Sequence, residues 1–318
     1  MKLQTQIPLQ KQRDNLIDYA SHVLLLGSCF AENIGDKFQY YKFQNSSNPF
    51  GIIFNPCSIE KLISKSIKKE YFTETDVFFH NEQWQSYDVH SKLSHSSKEA
   101  LLKELNDLID LSYSQLQNAS HIIITLGTAW VYKLNETTQI VANCHKVPQS
   151  NFTKALLSIE EITTSLQRIV ESIQGINIKA NFIFTVSPVR HVKDGFAENT
   201  LSKAHLISAT HSFLSHRAQS RCHYFPSFEF MMDELRDYRF YAEDMLHPNQ
   251  TAINFIWEKF HDVWLHPETL STMTLVDTIQ KGLQHKPFNP QTQAHQVFLE
   301  DLEAKKQVLQ NQFPHIVF

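Results

Sequence analysis

Two hydrophobic rhythms alternate along this chain. Runs of consecutive β-prone residues, His22 to Leu26, His121 to Leu126, Asn181 to Val186 and Cys222 to Phe225, each end at a turn signal: Gly27, Gly127, Ser187-Pro188 and Pro226. Between them the apolar positions switch to helical spacing. Phe30, Ile34 and Phe38 recur every fourth residue, and helical patterns cover Lys98 to Leu116, Ser158 to Ile173, Glu198 to Gln219 and, later, Asn249 to Phe260. Strands alternating with helices of this length predict right-handed βαβ crossovers and a parallel sheet covered on both faces. The expectation is a doubly wound α/β domain over about residues 15–265.

Two stretches break the rhythm. Between Tyr71 and His95, Phe72, Val77, Phe78, Phe79, Trp84, Tyr87 and Val89 stand among polar residues, which predicts a small β-hairpin insertion, a candidate lid. On it, Trp84 and His90 could stack on a sugar ring, or pack cross-strand. Residues 267–318 read as a helical appendage, Leu270 to Gln284 and Gln293 to Gln312, with Pro287 and Pro290 between. Leu270, Met273, Val276, Ile279 and Leu283 mark its expected buried face. Packing or oligomer contacts, including those of a homo-oligomer, are its expected role.

Composition narrows the function classes. With 42% hydrophobic residues and 23 Phe the 318-residue chain can build an ordinary globular core. Its 29 Lys plus Arg against 33 Asp plus Glu, a net charge of −4, argues against nucleic acid or a membrane surface as partner. No apolar run reaches a membrane span, and the opening MKLQTQIPLQKQRDN lacks a signal-peptide core, so a cytoplasmic protein is expected. Cys29, Cys57, Cys144 and Cys222 form no Cys-x-x-Cys pair, so each reads as a single thiol. Neither a metal site nor a cofactor is expected.

In an open parallel sheet, ligands bind beyond the carboxyl ends of the strands. That rule selects Gly27, Ser28 and Cys29; Gly127 to Trp130; Ser187 to His191; and, later, Asp244-Met-Leu-His247-Pro248. A carboxylate three residues before a histidine can turn back to hold its Nδ1 proton, as in a catalytic triad. Composition alone supplies that spacing about once in a chain like this. A helix entry capped by Asp244 and started by Pro248 is the plain alternative.

The segment Leu26-Gly27-Ser28-Cys29-Phe30-Ala31 resembles the signature of the GSCFA family. The resemblance continues through Asn48-Pro-Phe-Gly51, Thr125-Leu-Gly127-Thr-Ala-Trp130, Asn143-Cys-His145-Lys146, Ser187-Pro-Val-Arg190-His191 and Asp244-Met-Leu-His247-Pro248. The family looks like a branch of the SGNH, or GDSL-like, hydrolases. That implies a three-layer α/β/α flavodoxin-like sheet and acyl chemistry: ester hydrolysis, deacetylation or O-acyl transfer on a small or carbohydrate-linked ester. The SGNH pattern places the nucleophile two residues after the first glycine, here Cys29, with Ser28 as rival. It implies Asp244 and His247 as orienting acid and proton shuttle, and Gly51 and the nucleophile's own N–H as oxyanion donors. Gly127-Thr-Ala129-Trp130 lacks the pattern's asparagine, so Asn143 or His145 would substitute for it. Arg190 and His191 could bind a carboxylate or phosphate of the substrate. A helix start and a nearby imidazole are expected to lower the Cys29 pKa. A noncatalytic carbohydrate- or metabolite-binding module on the same fold is the alternative reading.

Overall fold

The computed structural model describes residues 5–215 and 221–318. Five parallel strands form the central sheet: β1 His22–Gly27, β2 Gln44–Ser47, β5 His121–Leu126, β9 Asn181–Val186 and β10 Cys222–Tyr224. Their order is β10-β9-β5-β1-β2, which is the flavodoxin-like arrangement expected of the fold. Strand residues alternate between two cores. Leu24, Ile122, Ile124, Phe182 and Phe184 face one cluster, while Val23, Leu25, Ile123 and Ile183 face the other. Helices α2 Pro56–Lys68, α3 Lys98–Asn118, α4 Ile159–Gln174 and α5 Phe196–Ser215 cover the first face, with Leu62, Leu105, Ile169 and Leu206 in its core. Helix α1 Cys29–Tyr40 and helices α7 Gln250–Trp264 and α8 Thr269–Gln284 cover the second, with Phe38, Phe260 and Val276 buried there. The molecule is therefore a three-layer α/β/α sandwich.

Four elements differ from the expectations. Strand β2 was hidden because Gln44-Asn-Ser-Ser47 carries no apolar residue; it pairs in parallel with β1 at the sheet edge, where such polarity discourages pairing with another chain. Helix α2 starts at Pro56 behind the Asn55 cap. Within 71–95 the expected hairpin forms from β3 Phe78–His80 and β4 Gln83–Gln85, but a second insertion follows β5. It is an antiparallel sheet of β6 Trp130–Leu134, β7 Ile140–Val141 and β8 Phe152–Leu156. The end of the expected Glu198 to Gln219 helix lies outside the described residues. After β10, a short helix α6 Ser227–Glu229 runs into a wide turn over Phe230–Glu234.

Beyond Pro267, α8 and α9 Gln293–Gln312 form the C-terminal helices. Met273, Val276, Ile279, Leu309 and Ile316 join the core of the second face, whereas Leu270 and Leu283 at the two ends of the expected stripe are exposed. Among the described residues no helix is long and apolar enough to cross a membrane.

Gly27 closes β1 where only glycine fits. Its φ is +130°, and a Cβ there would stand 2.1 Å from the Thr125 carbonyl oxygen of the neighbouring strand. Gly27→Ala is expected to cost about 3 kcal/mol or more through overlap and backbone strain. Urea denaturation checks it; a midpoint within error of wild type would contradict the geometry.

Candidate active site

The carboxyl edge of the sheet is knitted together by backbone bonds. Ser28 N–H donates to the Thr125 carbonyl at 3.0 Å, Ile53 N–H to the Gly27 carbonyl at 3.2 Å, and Gly127 N–H to the Phe54 carbonyl at 2.8 Å. The Asn48 side chain accepts the Gly27 N–H at 2.8 Å. Arg190 N–H donates to the Leu246 carbonyl at 3.2 Å, which ties the Asp244 to His247 turn to the loop after β9. Gly27, Gly127, Ser187 to His191 and the Asp244 turn thus belong to one edge.

Cys29 is the first residue of α1 and Ser28 is its cap. Ser28 is wholly buried, and its Oγ accepts the Phe30 N–H at 3.3 Å. That is a structural task, the ordinary one for serine at this position. Cys29 is partly exposed. Burial raises its thiol pKa above the ordinary value, with Glu32 adding to the effect, against the helix-start N–H groups of Phe30 and Cys29 and the charge of Lys203. The expected lowering of this pKa is therefore not met: desolvation outweighs the helix terminus.

Asp244 and His247 form a tight pair. Asp244 Oδ2 lies 2.6 Å from His247 Nδ1, and Oδ1 accepts the N–H groups of Leu246 at 2.9 Å and His247 at 3.0 Å. The backbone bonds from His247 and Leu246, followed by the ring, hold the carboxyl down to about 2. With Nδ1 engaged, Nε2 is the ring's free acceptor for a proton, the arrangement a triad histidine needs. The plain alternative does not hold: Asn249, not Asp244, caps α7. Met245 within the turn has φ +59°, a conformation uncommon outside glycine and asparagine.

The other anticipated residues occupy varied places. The Gly51 N–H donates to the Asn48 carbonyl at 2.8 Å, so it is not an available oxyanion donor; the turn over residues 48–51 takes it. A Cβ at Gly51 would stand 2.4 Å from His90 Cβ, so the close approach of His90 requires glycine. His145 is buried, bonds the Ser86 carbonyl through Nε2 at 2.7 Å and packs edge-on to Phe78. It fastens the two inserted sheets together and is not an oxyanion donor. Asn143 accepts the His145 N–H at 2.8 Å. The Arg190 guanidinium stacks over Tyr241, 4.5 Å from the ring centroid. His191 stacks on Phe54 with centroids 5.5 Å apart, and a Cβ on Gly127 would come within 3.2 Å of its Nε2. Burial, then Lys203, then His247 drive its pKa down to about 3, so it is neutral at physiological pH. Trp84 pairs cross-strand with Phe79, whereas Trp130 lines a cleft of about 620 Å³ with Phe54, His90, Tyr132, Asn143 and His191. The inserted sheet after β5, not the hairpin tryptophan, supplies Trp130 and Tyr132 to the cleft, beside Phe54 from the segment before α2.

Three residues of α5 were missed. Asn199 Oδ1 accepts the His191 N–H at 2.9 Å, Ser202 Oγ accepts the Ala129 N–H at 2.7 Å, and Lys203 Nζ donates to the Gly127 and Ser187 carbonyls at 2.7 and 2.8 Å. They sit on the helix's buried stripe with Leu206, Ala209, Thr210 and Phe213. Polar residues at core spacing were the available signal.

Comparison with family models decides the relationship. The GSCFA family model matches residues 22–260, and a model described as the GSCFA domain protein, C-terminal domain, matches 276–318. The chain belongs to the GSCFA family. A search of curated proteins finds no match. Among solved structures, this GSCFA chain is similar to an acetyl xylan esterase (Est2A) from the rumen bacterium Butyrivibrio proteoclasticus. The identity is 9% and the TM-score 0.35, over 85% of this chain and 65% of the esterase. The GSCFA chain therefore spans less than two thirds of that enzyme's length.

Proposed function

We propose that this GSCFA chain is an acyl-transfer enzyme, an ester hydrolase or O-acyltransferase acting on a small or carbohydrate-linked ester through a Cys29 thioester. The observation that carries the reading is the Asp244–His247 pair, 2.6 Å apart on a turn bonded to the sheet edge that Cys29 heads. In the proposed cycle His247 Nε2 takes the thiol proton as sulfur attacks the ester carbonyl. The tetrahedral oxyanion is met by the Cys29 N–H and by the Asn48 amide, whose Nδ2 is buried beside Gly27 with no hydrogen-bond partner among the described residues. His247 then gives the proton to the departing alkoxide, and water or an acceptor hydroxyl resolves the thioester by the same route. Trp130, with the Lys154 ammonium over its ring at 4.2 Å, and Tyr132 line the cleft beside His191 that would take the sugar.

Intact-mass measurement after exposure to an activated acetyl ester tests this. The acetyl mass increment is expected on wild type and on Ser28→Ala and not on Cys29→Ala. An adduct that persists in Cys29→Ala and disappears in Ser28→Ala would move the nucleophile to Ser28. A second reading, a carbohydrate- or metabolite-binding module without turnover, draws support from the third block of the SGNH pattern, Gly127-Thr-Ala129-Trp130: Ala129 stands where the oxyanion asparagine belongs, and its N–H is engaged by Ser202. Absence of any adduct together with saturable ligand binding would favour that reading.

A further inference from the structure

A lysine amine in the middle of a protein interior needs an explanation. Lys203 is 1% exposed, among the largest fully buried side chains, and forms no ion pair with a carboxylate among the described residues. Its Nζ is pinned between the Gly127 carbonyl, just past β5, and the Ser187 carbonyl, just past β9. Strand β1, which delivers Cys29, is β5's other neighbour, and the Ser28 N–H bonds the β5 carbonyl of Thr125. Adjacent strands lie about 4.8 Å apart. The amine is therefore held close to the thiol's end of the edge by two bonds of fixed direction.

We propose that Lys203 is a positioning residue for the nucleophile: its amine, held at the sheet edge, carries the charge against which the Cys29 thiolate forms. The donor inventory fits either protonation state. A neutral amine has two N–H groups, matching the two carbonyls, while the ammonium has a third N–H left over. Removing the thiol proton favours the ammonium, and the ammonium favours the thiolate, so the two groups ionise together. Burial brings Lys203 down to about 7, and the Cys29 charge is the one that opposes this. The other groups that face the pair are Glu32 on α1, which disfavours the thiolate, and His191, whose own protonation Lys203 disfavours. His247 acts on His191 from the adjoining turn. The Phe228 ring, with its centroid 5.7 Å from Nζ, presents a face that tolerates the cation.

The inference deepens the acyl-transfer reading, but its test does not depend on turnover. The pH dependence of Cys29 alkylation by iodoacetamide is measured in wild type and Lys203→Met. The midpoint is expected about one pH unit higher in the variant, so that alkylation at pH 7.5 slows about tenfold. An unchanged midpoint in a folded variant would overturn the proposal, because a purely structural lysine would alter stability and leave the thiol's titration alone. If Lys203→Met does not fold, the reciprocal experiment uses Cys29→Ala, which keeps the lysine. The titration of the Lys203 amine, followed by NMR of its Nζ between pH 6 and 10, is then expected to move down relative to wild type, since a cation coupled to the thiolate loses its partner. Superimposable curves would overturn the coupling. A shifted alkylation profile without any acyl adduct would instead keep the Lys203 assignment and remove the acyl-transfer reading.

Discussion

Replacing His247 with alanine is expected to lower hydrolysis of an activated acetyl ester by about 10³- to 10⁴-fold, with folding unaffected. The ring lies on a half-exposed turn, and the turn keeps its shape through backbone bonds that the alanine variant retains: Ala242 N–H to the carbonyl of residue 247 at 2.7 Å, and the Asp244 carboxylate on the N–H groups of 246 and 247. On the proposed cycle, what disappears is the proton acceptor for the thiol and the donor for the leaving alkoxide. Asp244→Asn is expected to cost less than His247→Ala but still 10²-fold or more, by order of magnitude, because the amide can present its NH₂ to Nδ1 and favour the wrong tautomer. The decisive arm is the double variant. Groups that act as one unit are not additive, so Cys29→Ala/His247→Ala should be no slower than Cys29→Ala alone. Rates that multiply would show that the two residues do not serve the same step. The measurement is initial rate against pH, normalised to folded protein.

How much of this was legible in the chain follows from how local each feature is. Strands β1, β5 and β9 are buried on both faces, so His22 to Gly27, His121 to Leu126 and Asn181 to Val186 read as continuous apolar runs that end at the site. The Asp244–His247 pair is likewise local: the partners stand three positions apart, and the turn between them is closed by bonds to the aspartate itself. Strand β2 has no such signal, since an edge strand of Gln, Asn and Ser is specified by its neighbour β1 and not by its own side chains. The same applies to the third-block asparagine. Its absence at Ala129 was plain, yet the residues occupying that part of the edge come from α5, more than seventy positions later. Lys203 in particular stands at core spacing with Leu206 and Thr210, yet a lysine by its chemistry alone suits a solvated helix face. Only the folded arrangement turns it into a buried amine between two strand-end carbonyls. Gly51 shows the opposite error: the motif drew attention to its N–H, while the structure requires its missing Cβ.

Acid should expose the burial of His191 as a loss of stability. In the unfolded chain this imidazole titrates near 6.5; in the folded protein it stays neutral down to about 3. Between those values the unfolded state carries the extra proton, so stability rises with pH and falls as the solution is acidified. The direction follows from the depressed folded value: full stability lies above pH 6.5 and is progressively lost toward pH 3. The interval corresponds to at most about 5 kcal/mol for this one group. Other buried histidines, among them His121 and His145, are lowered by burial too and steepen the same limb, so the group must be isolated by difference. His191→Phe suits this purpose, because a phenyl ring can keep the stacking on Phe54 and the backbone N–H bond to Asn199 while removing the titration. Urea midpoints at pH 8 and pH 4 should then differ clearly less in the variant than in wild type. Parallel losses in both proteins would mean that His191 is already solvated enough to protonate near its ordinary value, and with it the picture of a dry, neutral imidazole wall beside Gly127 would fall.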